Sequence, residues 1–500
     1  MTYRLDWTHP FPGQISKSVT KSFFSRFNVP HVFTLLTGVI LFCCVLTWVI
    51  PSGLYERQTI QVGPLERNVI VPGSYEQVEK VRSAEALFYA DAPEGAAAPV
   101  GAQGFLSAIP RGMEAAADII FFIFVVGGVF GILNRSGAIV AGIHHLLSRY
   151  RDSGPLLTIL LMTVIAIGGS TLGMGEEFIP LIPLFLIVSK ELGYDRIFGM
   201  ALVFVAAETG FMAATTNPFT VNVAQGIAEL PLNSLITYRA VFLMTCLGVA
   251  IWYLLRYGAR VKADRSNSLM PDDSFDLGHT DVDIPAFNVR HKWTLVVCVA
   301  IFGFILFAVQ AYGWWMAEMG GGFLAMGIAA AWICKIPLNE AARSMAKGME
   351  EMVIAALVVG FARGVQVVMD DALILDTIVY YAGLGLESFP STVAASGMFV
   401  FQSVLNFFIP SGSGQAAVTM PIMAPLADVL GLSRQVAVFA FTTGDGLSNT
   451  IIPTSGILMG MLGLAGIPYE KWLRFMVPLF LMLSVVAIVF LTVMVLAGLS

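Results

Sequence analysis

The sequence predicts an all-α polytopic membrane protein built from an inverted repeat, with two re-entrant hairpins and two broken transmembrane helices. Three observations predict this fold class: an apolar composition, apolar segments long enough to cross a bilayer, and motifs that recur at a nearly constant offset. Hydrophobic residues make up 57% of the 500 residues and charged residues 12%, about half of the roughly 25% usual in soluble domains. A soluble chain cannot bury so much apolar surface, so we expect the lipid bilayer as a partner. The net charge of -6 argues against nucleic acid.

Seven segments are apolar and long enough to span a membrane as single helices. About 20 residues are needed, because each residue adds ~1.5 Å across a core of ~30 Å. The first begins near Val32 after a polar stretch, and no small-residue cleavage site follows it, so we expect a helix and not a cleaved signal peptide. The predicted spans are roughly 32–51, 113–134, 240–257, 292–311, 316–334, 347–369 and 472–497.

Two longer apolar regions are interrupted by proline and polar residues. The region 197–229 contains the triplet TNP at 216–218, and the region 434–467 contains GDGLSNTIIPTS at 444–455. Proline removes a backbone donor and clashes with the preceding helical turn. We therefore predict a broken helix in each region.

Two further regions, 155–190 and 391–430, each hold two apolar arms around a tip rich in Gly and Ser. The first tip runs from Gly168 to Glu177 and the second from Pro410 to Gln415. We interpret both as re-entrant hairpins that enter and leave on one side of the membrane. The alternative is two full crossings in each region, which leaves the sidedness of the other segments unchanged.

The distribution of positive charge sets the expected orientation, because Lys and Arg are enriched in cytoplasmic loops. With the N-terminus inside, most of the 28 Lys and Arg residues are cytoplasmic, and Arg239 is among the few outside. We expect an integral protein of the plasma membrane (the inner membrane of the cell) with its C-terminus outside. The predicted order is a cytoplasmic N-terminus (1–31), a first repeat (32–257) with an external insert (52–112), a cytoplasmic linker (258–291), two linking spans (292–334) and a second repeat (335–500).

An internal repeat relates the two halves. The motif RGME at 111–114 recurs as KGME at 347–350, and Pro218 recurs as Pro453 at almost the same separation. We call the separation of Arg111 from Lys347 the repeat offset, and it also maps the first hairpin region onto the second. In the orientation above, the first copy starts outside and the second inside, so the copies are inverted. Inverted repeats with discontinuous helices are typical of secondary transporters that bind substrate near the membrane midplane.

The hairpin tips, TNP at 216–218 and GDGLSNTIIPTS at 444–455 resemble the YfcC-type branch of the C4-dicarboxylate anaerobic carrier-like families, within the ion transporter superfamily. The similarity covers about 30–497. It implies a homodimer in which each protomer has a scaffold domain and a transport domain that moves by an elevator mechanism. It also implies two hairpins and two unwound helices around one substrate. The resemblance leaves the substrate open, because these families span dicarboxylates and their relatives include basic amino acid exchangers.

Four carboxylates fall at predicted membrane depth: Glu176, Glu177, Glu208 and Asp445. An acid at the bilayer centre costs about 2.5–3.5 kcal/mol on insertion scales, so these groups must face a polar site or be protonated. We predict that the three glutamates bind substrate and that Asp445 binds a coupling ion. In the structural alternative, Glu208 and Asp445 pair with freed backbone amides, and the two tip glutamates cap a helix start.

The second hairpin tip has no acid, and its helix start has free N–H groups that suit a substrate carboxylate. Ordinary turn glycines are the alternative for these residues, which are Ser411, Gly412, Ser413 and Gly414. Polar side chains of the broken helices suit Na⁺, as the family resemblance also implies, or they pair with local backbone. The predicted ion-binding residues are Asn217, Asp445, Ser448, Asn449, Thr450, Thr454 and Ser455. Apart from candidate Na⁺, we expect no metal and no cofactor.

These features predict a secondary active transporter and not an enzyme. The favoured substrate is a basic or zwitterionic amino acid, moved by exchange or coupled to Na⁺ or H⁺, because the four acids face at most one arginine, Arg363. We expect Arg363 to pair with Asp370 and Asp371, with a substrate carboxylate as its alternative partner. A C4-dicarboxylate is the alternative substrate. An intramembrane aspartyl protease is a remote alternative, because the sequence before Asp445 lacks the first glycine of a GxGD motif.

Overall fold

A computed structural model describes residues 31–62, 65–89, 92–93, 95–149, 154–271, 273 and 287–499, without the side chains of 62, 65, 67, 143, 144, 146–149 and 310. The predicted N-terminal segment up to residue 30 and residues 274–286 of the predicted linker lie outside this part of the chain. The described residues are mostly helical.

The first half of the chain contains nine α-helices and four short strands among the described residues. Short 3₁₀ turns also occur at Glu85–Leu87, Glu176–Leu181 and Arg265–Asn267. The elements are α1 (Val32–Val49), β1 (Ser52–Leu54), β2 (Arg57–Val62), β3 (Leu65–Ile70), β4 (Glu76–Val78), α2 (Ala102–Ala115), α3 (Ala117–Ser136), α4 (Ala138–Arg149), α5 (Gly154–Leu172), α6 (Ile182–Glu191), α7 (Arg196–Met212), α8 (Val221–Ile227) and α9 (Ile236–Ala263).

The second half follows two linking helices and repeats the helix order of the first. Helices α2 to α9 correspond in order to α12 to α19. The elements are α10 (Val289–Tyr312), α11 (Met316–Ile333), α12 (Leu338–Glu351), α13 (Val353–Asp371), α14 (Leu375–Glu387), α15 (Ser391–Leu405), α16 (Gly412–Val429), α17 (Arg434–Ser448), α18 (Gly456–Ala465) and α19 (Tyr469–Leu496).

The prediction of a polytopic membrane protein is confirmed. Eight helices in the described part of the chain are long and apolar enough to cross a membrane: α1, α3, α5, α9, α10, α11, α13 and α19. Seven of them overlap the seven predicted spans. The eighth, α5, is the first arm of the predicted hairpin at 155–190, whose second arm is a 3₁₀ turn followed by the short helix α6.

The prediction of a purely helical chain is wrong for the insert after α1. Strand β1 pairs antiparallel with β4, and β2 pairs antiparallel with β3. These strands contain several β-branched residues, which fit a pleated, half-buried surface. Both terminal nitrogens of Arg57 donate hydrogen bonds to the Asp376 carboxylate at 3.0 Å. This ion pair fixes the insert to α14. Helix α2 begins at Ala102, inside the predicted insert range of 52–112.

Helices of the two halves pack closely against each other at glycines. Helix α2 packs on α13, and α3 packs on α12. A Cβ on Gly112 would lie 2.4 Å from the Gly360 oxygen, and a Cβ on Gly348 would lie 2.3 Å from the Gly127 oxygen. Gly112 and Gly348 are the second residues of the RGME and KGME motifs, so matched positions permit the same close approach in both halves.

An ion pair at the same crossing corrects the predicted partner of Asp371, whereas Arg363 does lie within electrostatic range of Asp370. Both terminal nitrogens of Arg111 on α2 donate to the Asp371 carboxylate on α13, at 2.5 and 2.8 Å. The sequence instead favours pairing of Asp371 with Arg363 on its own helix. The close packing of α2 on α13 places Arg111 beside Asp371.

We predict that Gly348→Ala lowers thermal stability, because the added methyl has no room against the α3 backbone. The expected cost is about 1–3 kcal/mol of unfolding free energy, measured as a lower midpoint in thermal unfolding of the purified protein. Gly321→Ala on α11 is the matched control, since nothing lies within 4 Å of its added Cβ. Equal midpoints for the two variants would contradict this packing.

Candidate functional site

The predicted interruptions are present in both long apolar regions. Helix α7 ends at Met212 and α8 begins at Val221, whereas α17 ends at Ser448 and α18 begins at Gly456. We call 213–220 the first break and 449–455 the second break. Each break contains one of the two prolines, Pro218 or Pro453, that the repeat relates.

The end of α5 supplies hydrogen-bond partners for the backbone of the first break. The backbone N–H of Thr215 donates to the Ser170 carbonyl at 3.0 Å. The Ser170 hydroxyl donates to the Ala213 carbonyl at 2.9 Å. A single residue at the first hairpin tip therefore satisfies both a donor and an acceptor that the missing helical turn leaves free.

Asn406, directly after α15, donates to a backbone acceptor beside the second break, and sequence analysis missed it. Its side-chain nitrogen lies 2.9 Å from the Asp445 carbonyl, 2.9 Å from the Ser448 hydroxyl and 2.8 Å from the Asn449 side-chain oxygen. Asn406 follows Ser170 by the repeat offset. That offset was therefore the signal that could have identified it.

The long helix after each break supplies a second matched donor. Arg239 on α9 donates to the Ala214 carbonyl at 3.4 Å, and Trp472 on α19 donates to the Thr450 carbonyl at 2.9 Å. The repeat offset also separates these two carbonyls. Each break thus has a backbone oxygen that is held by a buried side chain of the following helix.

The position of Arg239 corrects the sequence prediction of an external charge. Its side chain is 2% exposed, because α9 begins at Ile236 and packs directly on α7. Its guanidinium also contacts the Thr442 hydroxyl at 3.3 Å. Nε and Nη2 have no hydrogen-bond partner among the described residues.

Contacts at their ends show how the two interrupted helices run. Arg196, the first residue of α7, donates to the Ala465 carbonyl at the end of α18 at 3.2 Å. Arg434, the first residue of α17, donates to the Ala228 carbonyl just after α8 at 3.0 Å. The start of each interrupted helix therefore lies beside the end of the other, and the two run antiparallel.

Two buried acids, one on each of these helices, lie within electrostatic range of each other. Glu208 is 2% exposed and Asp445 is 1% exposed, and their charges are close enough to interact. Oε2 of Glu208 and Oδ2 of Asp445 have no hydrogen-bond partner among the described residues. A buried carboxylate without a partner is costly, so this pair suits a bound cation or proton.

The tip of the second hairpin reaches the first break. A Cβ on Gly412 would lie 2.6 Å from Cγ2 of Thr220 and 3.1 Å from Oδ2 of Asp445, so a side chain at Gly412 would displace one of them. Helix α16 starts at Gly412, and neither an acidic first turn nor a side-chain cap from Ser411 covers its N-terminus. Ser413 and Gly414 lie in this first turn, and a Cβ on Gly414 would lie 3.1 Å from the Ser411 hydroxyl oxygen.

The tip of the first hairpin presents its acids differently. Oε2 of Glu177 accepts the Gly175 N–H at 2.9 Å, which is the capping role weighed from the sequence. The Glu177 side chain also lines a cavity of about 10 Å³, room for about one water molecule. Glu176 lies within electrostatic range of Glu177, Glu208 and Asp118. The other cavity-lining residues are Leu172, Met174, Phe219, Phe302, Ile305, Leu306, Val309, Met319 and Phe323.

Most predicted ion-binding side chains in the breaks already contact local backbone. The hydroxyls of Ser448 and Thr450 donate to the Gly444 and Leu447 carbonyls at 2.7 and 2.6 Å. The Ser455 hydroxyl accepts the Leu458 N–H at 3.3 Å. A hydroxyl that donates its proton keeps lone pairs for a cation.

The remaining predicted ion-binding side chains of the breaks are Asn217, Asn449 and Thr454. Oδ1 of Asn217 accepts the Phe219 N–H at 2.8 Å, and the Asn449 side chain faces the Glu208 carboxyl. Nδ2 of Asn217 and Oγ1 of Thr454 have no hydrogen-bond partner among the described residues. Among all the residues that the structure describes, no cluster of three or more His, Cys, Asp or Glu side chains could hold a metal ion.

Two solved transporter structures have low similarity to this chain. The YdaH transporter of Alcanivorax borkumensis is 18% identical with a TM-score of 0.42, covering 94% of this chain and 99% of its own. MtrF of Neisseria gonorrhoeae, described among antimetabolite efflux pumps, is 18% identical with a TM-score of 0.44, covering 94% and 96%. Both TM-scores are too low to establish a shared fold.

Sequence comparison gives a stronger relationship. The putative basic amino acid antiporter YfcC of Escherichia coli (strain K12) is 32% identical, covering 93% of this chain and 96% of that protein. An uncharacterized protein of Haemophilus influenzae is 30% identical, covering 91% and 94%. The family model of the C4-dicarboxylate anaerobic carrier, DcuC, matches residues 29–496. The chain therefore belongs to the C4-dicarboxylate anaerobic carrier family, whose members are membrane carriers and not enzymes.

Proposed function

We propose that this protein is a secondary active transporter whose favoured substrate is a basic or zwitterionic amino acid, moved by exchange or with Na⁺ or H⁺. The observation that carries the proposal is the meeting of two antiparallel broken helices around Glu208 and Asp445, each with an unpaired oxygen among the described residues. Irregular backbone is tolerated at membrane depth only where it is buried in protein or lines a cavity. Transporters use such paired breaks to bind substrate and ions.

An inverted repeat and an elevator motion extend this proposal. The matched helix order, the antiparallel breaks and the reciprocal glycine contacts support inversion of the two copies. The proposed transport domain contains the breaks and hairpin tips, and the proposed scaffold contains α2, α3, α12 and α13. A homodimer in the plasma membrane is proposed from the family resemblance.

Charge supports an amino acid substrate. Glu176, Glu177, Glu208 and Asp445 belong to the proposed site, and Arg239 is a buried cation that contacts the first break. The relative YfcC is described as a putative basic amino acid antiporter.

The alternative substrate is a C4-dicarboxylate, the substrate class for which the family is named. The uncovered N-terminus of α16 suits the carboxylate of either class. The acid excess opposes a dianion unless several cations accompany it. An amino acid with a cationic end matches the acidic first tip and the acid-free second tip together.

We predict that liposomes loaded with ornithine and containing the protein take up labelled arginine, and that Glu177→Gln raises the KM for arginine about tenfold. Loss of one charge-assisted contact, worth about 1.5–3 kcal/mol, accounts for this change. Uptake is measured with and without Na⁺ and proton gradients. Glu191→Gln, at the exposed end of α6, is the control and should leave the KM unchanged.

This substrate assignment is wrong if internal succinate drives uptake of labelled succinate, arginine and ornithine are inert, and Glu177→Gln behaves like the wild type. Uptake that needs ATP and no gradient would instead contradict secondary transport itself.

Opposite sidedness of the two hairpins is a separate expectation. Glu191 ends the first hairpin and Ser388 precedes the second, and both side chains are exposed. Single cysteines at these positions, in a chain without its five native cysteines, should react with an impermeant maleimide from opposite membrane sides. Reaction of both from one side would refute the inverted arrangement.

A further inference from the structure

Arg196 and Arg434 hold matched places at the starts of the interrupted helices. Arg196 follows LGYD at 192–195 as Arg434 follows LGLS at 430–433. The carbonyls that they contact, at Ala228 and Ala465, are separated by nearly the same offset. Each arginine therefore reaches across to the other repeat at a corresponding point, and we call the two contacts the arginine clamps.

The hydrogen bonds and charges at each clamp suit an arginine side chain. Helices α8 and α18 end with carbonyls that lack intrahelical partners, and a cation there complements the helix dipole. The guanidinium fork binds a carbonyl and a carboxylate at once. Arg196 also pairs with Asp273 at 2.6 Å, and Arg434 pairs with Asp428 and Glu229 at 2.9 Å each.

Backbone strain marks the Arg434 clamp. Glu229 follows α8 with φ 57°, while its matched residue Gly466 follows α18 with φ 65°. Glycine adopts this left-handed conformation easily, whereas glutamate does so at a cost. The Glu229 carboxylate pairs with Arg434, so the clamp holds the strained residue in place.

We propose that Arg196 and Arg434 are positioning residues that hold the two breaks in register, because each fixes the second half of the other repeat's interrupted helix. The breaks contain the candidate ion-binding side chains. Movement of α8 or α18 would therefore move these side chains away from Glu208 and Asp445. The structural part of the proposal stands independently of the substrate, and only its transport consequence rests on the proposed function.

Hydrogen exchange of the full-length purified protein, followed by mass spectrometry, tests the reciprocity. Arg434→Gln should speed exchange at least about threefold across 213–228 in the first repeat, and Arg196→Gln should do so across 449–465 in the second. Arg434→Lys should give an intermediate rate, and it serves as the test if the glutamine variant does not fold. Glu229→Gly is the matched control, because it removes the Glu229 ion pair and the strain but keeps the contacts of Arg434 with Ala228 and Asp428.

Transport kinetics supply a readout that general destabilisation would not give. Arg434→Gln should raise the KM for the transported substrate about tenfold while the maximal rate changes less than about threefold. The proposal is overturned if each variant speeds exchange only in its own helix, if neither changes exchange, or if Glu229→Gly matches Arg434→Gln. If the wild type moves no amino acid, the proposed function fails while the exchange experiment still decides the clamps.

Discussion

Every feature of the site depends on one constraint: backbone groups exposed by a broken helix must find partners where lipid offers none. The structure meets this constraint with side chains at matched positions in both repeats. Ser170 and Asn406 come from the ends of the hairpin arms, and Arg239 and Trp472 come from the helices that follow the breaks. These contacts let irregular backbone persist inside an apolar protein, and they join the hairpins, the breaks and the long helices into one unit.

The polar groups that this network leaves unpaired are as informative as those it satisfies. Oxygens of Glu208, Asp445, Thr220 and Thr454 are buried and have no hydrogen-bond partner among the described residues. Thr220 and Thr454 belong to the breaks, and Glu208 and Asp445 lie near the ends of α7 and α17, within electrostatic range of each other. Since an unsatisfied buried polar group costs about 1–3 kcal/mol, their grouping favours a role in binding a cation, a proton or substrate.

Sequence patterns predicted the spans and the interruptions, because a long apolar run and a proline within it have direct structural consequences. They did not predict the strands after α1, since short alternating segments carry a weak signal beside strong apolar runs. Asn406 was missed because it lies just before the predicted tip, although the repeat offset relates it to Ser170. The burial of Arg239 and the pairing of Arg111 with Asp371 depend on how helices of the two halves pack, which local sequence does not encode. The ligand roles of the site residues stay predictions.

The two breaks and the two hairpin tips together form the proposed binding site. The most direct test is hydrogen exchange of the purified protein with and without a saturating transported substrate. Bound substrate should slow exchange within 168–177, 213–220, 411–415 and 449–455, with little change in α10 and α19 outside the site. Substrate binding that leaves exchange in both breaks unchanged, while slowing it elsewhere, would show that the substrate binds at another place in the protein.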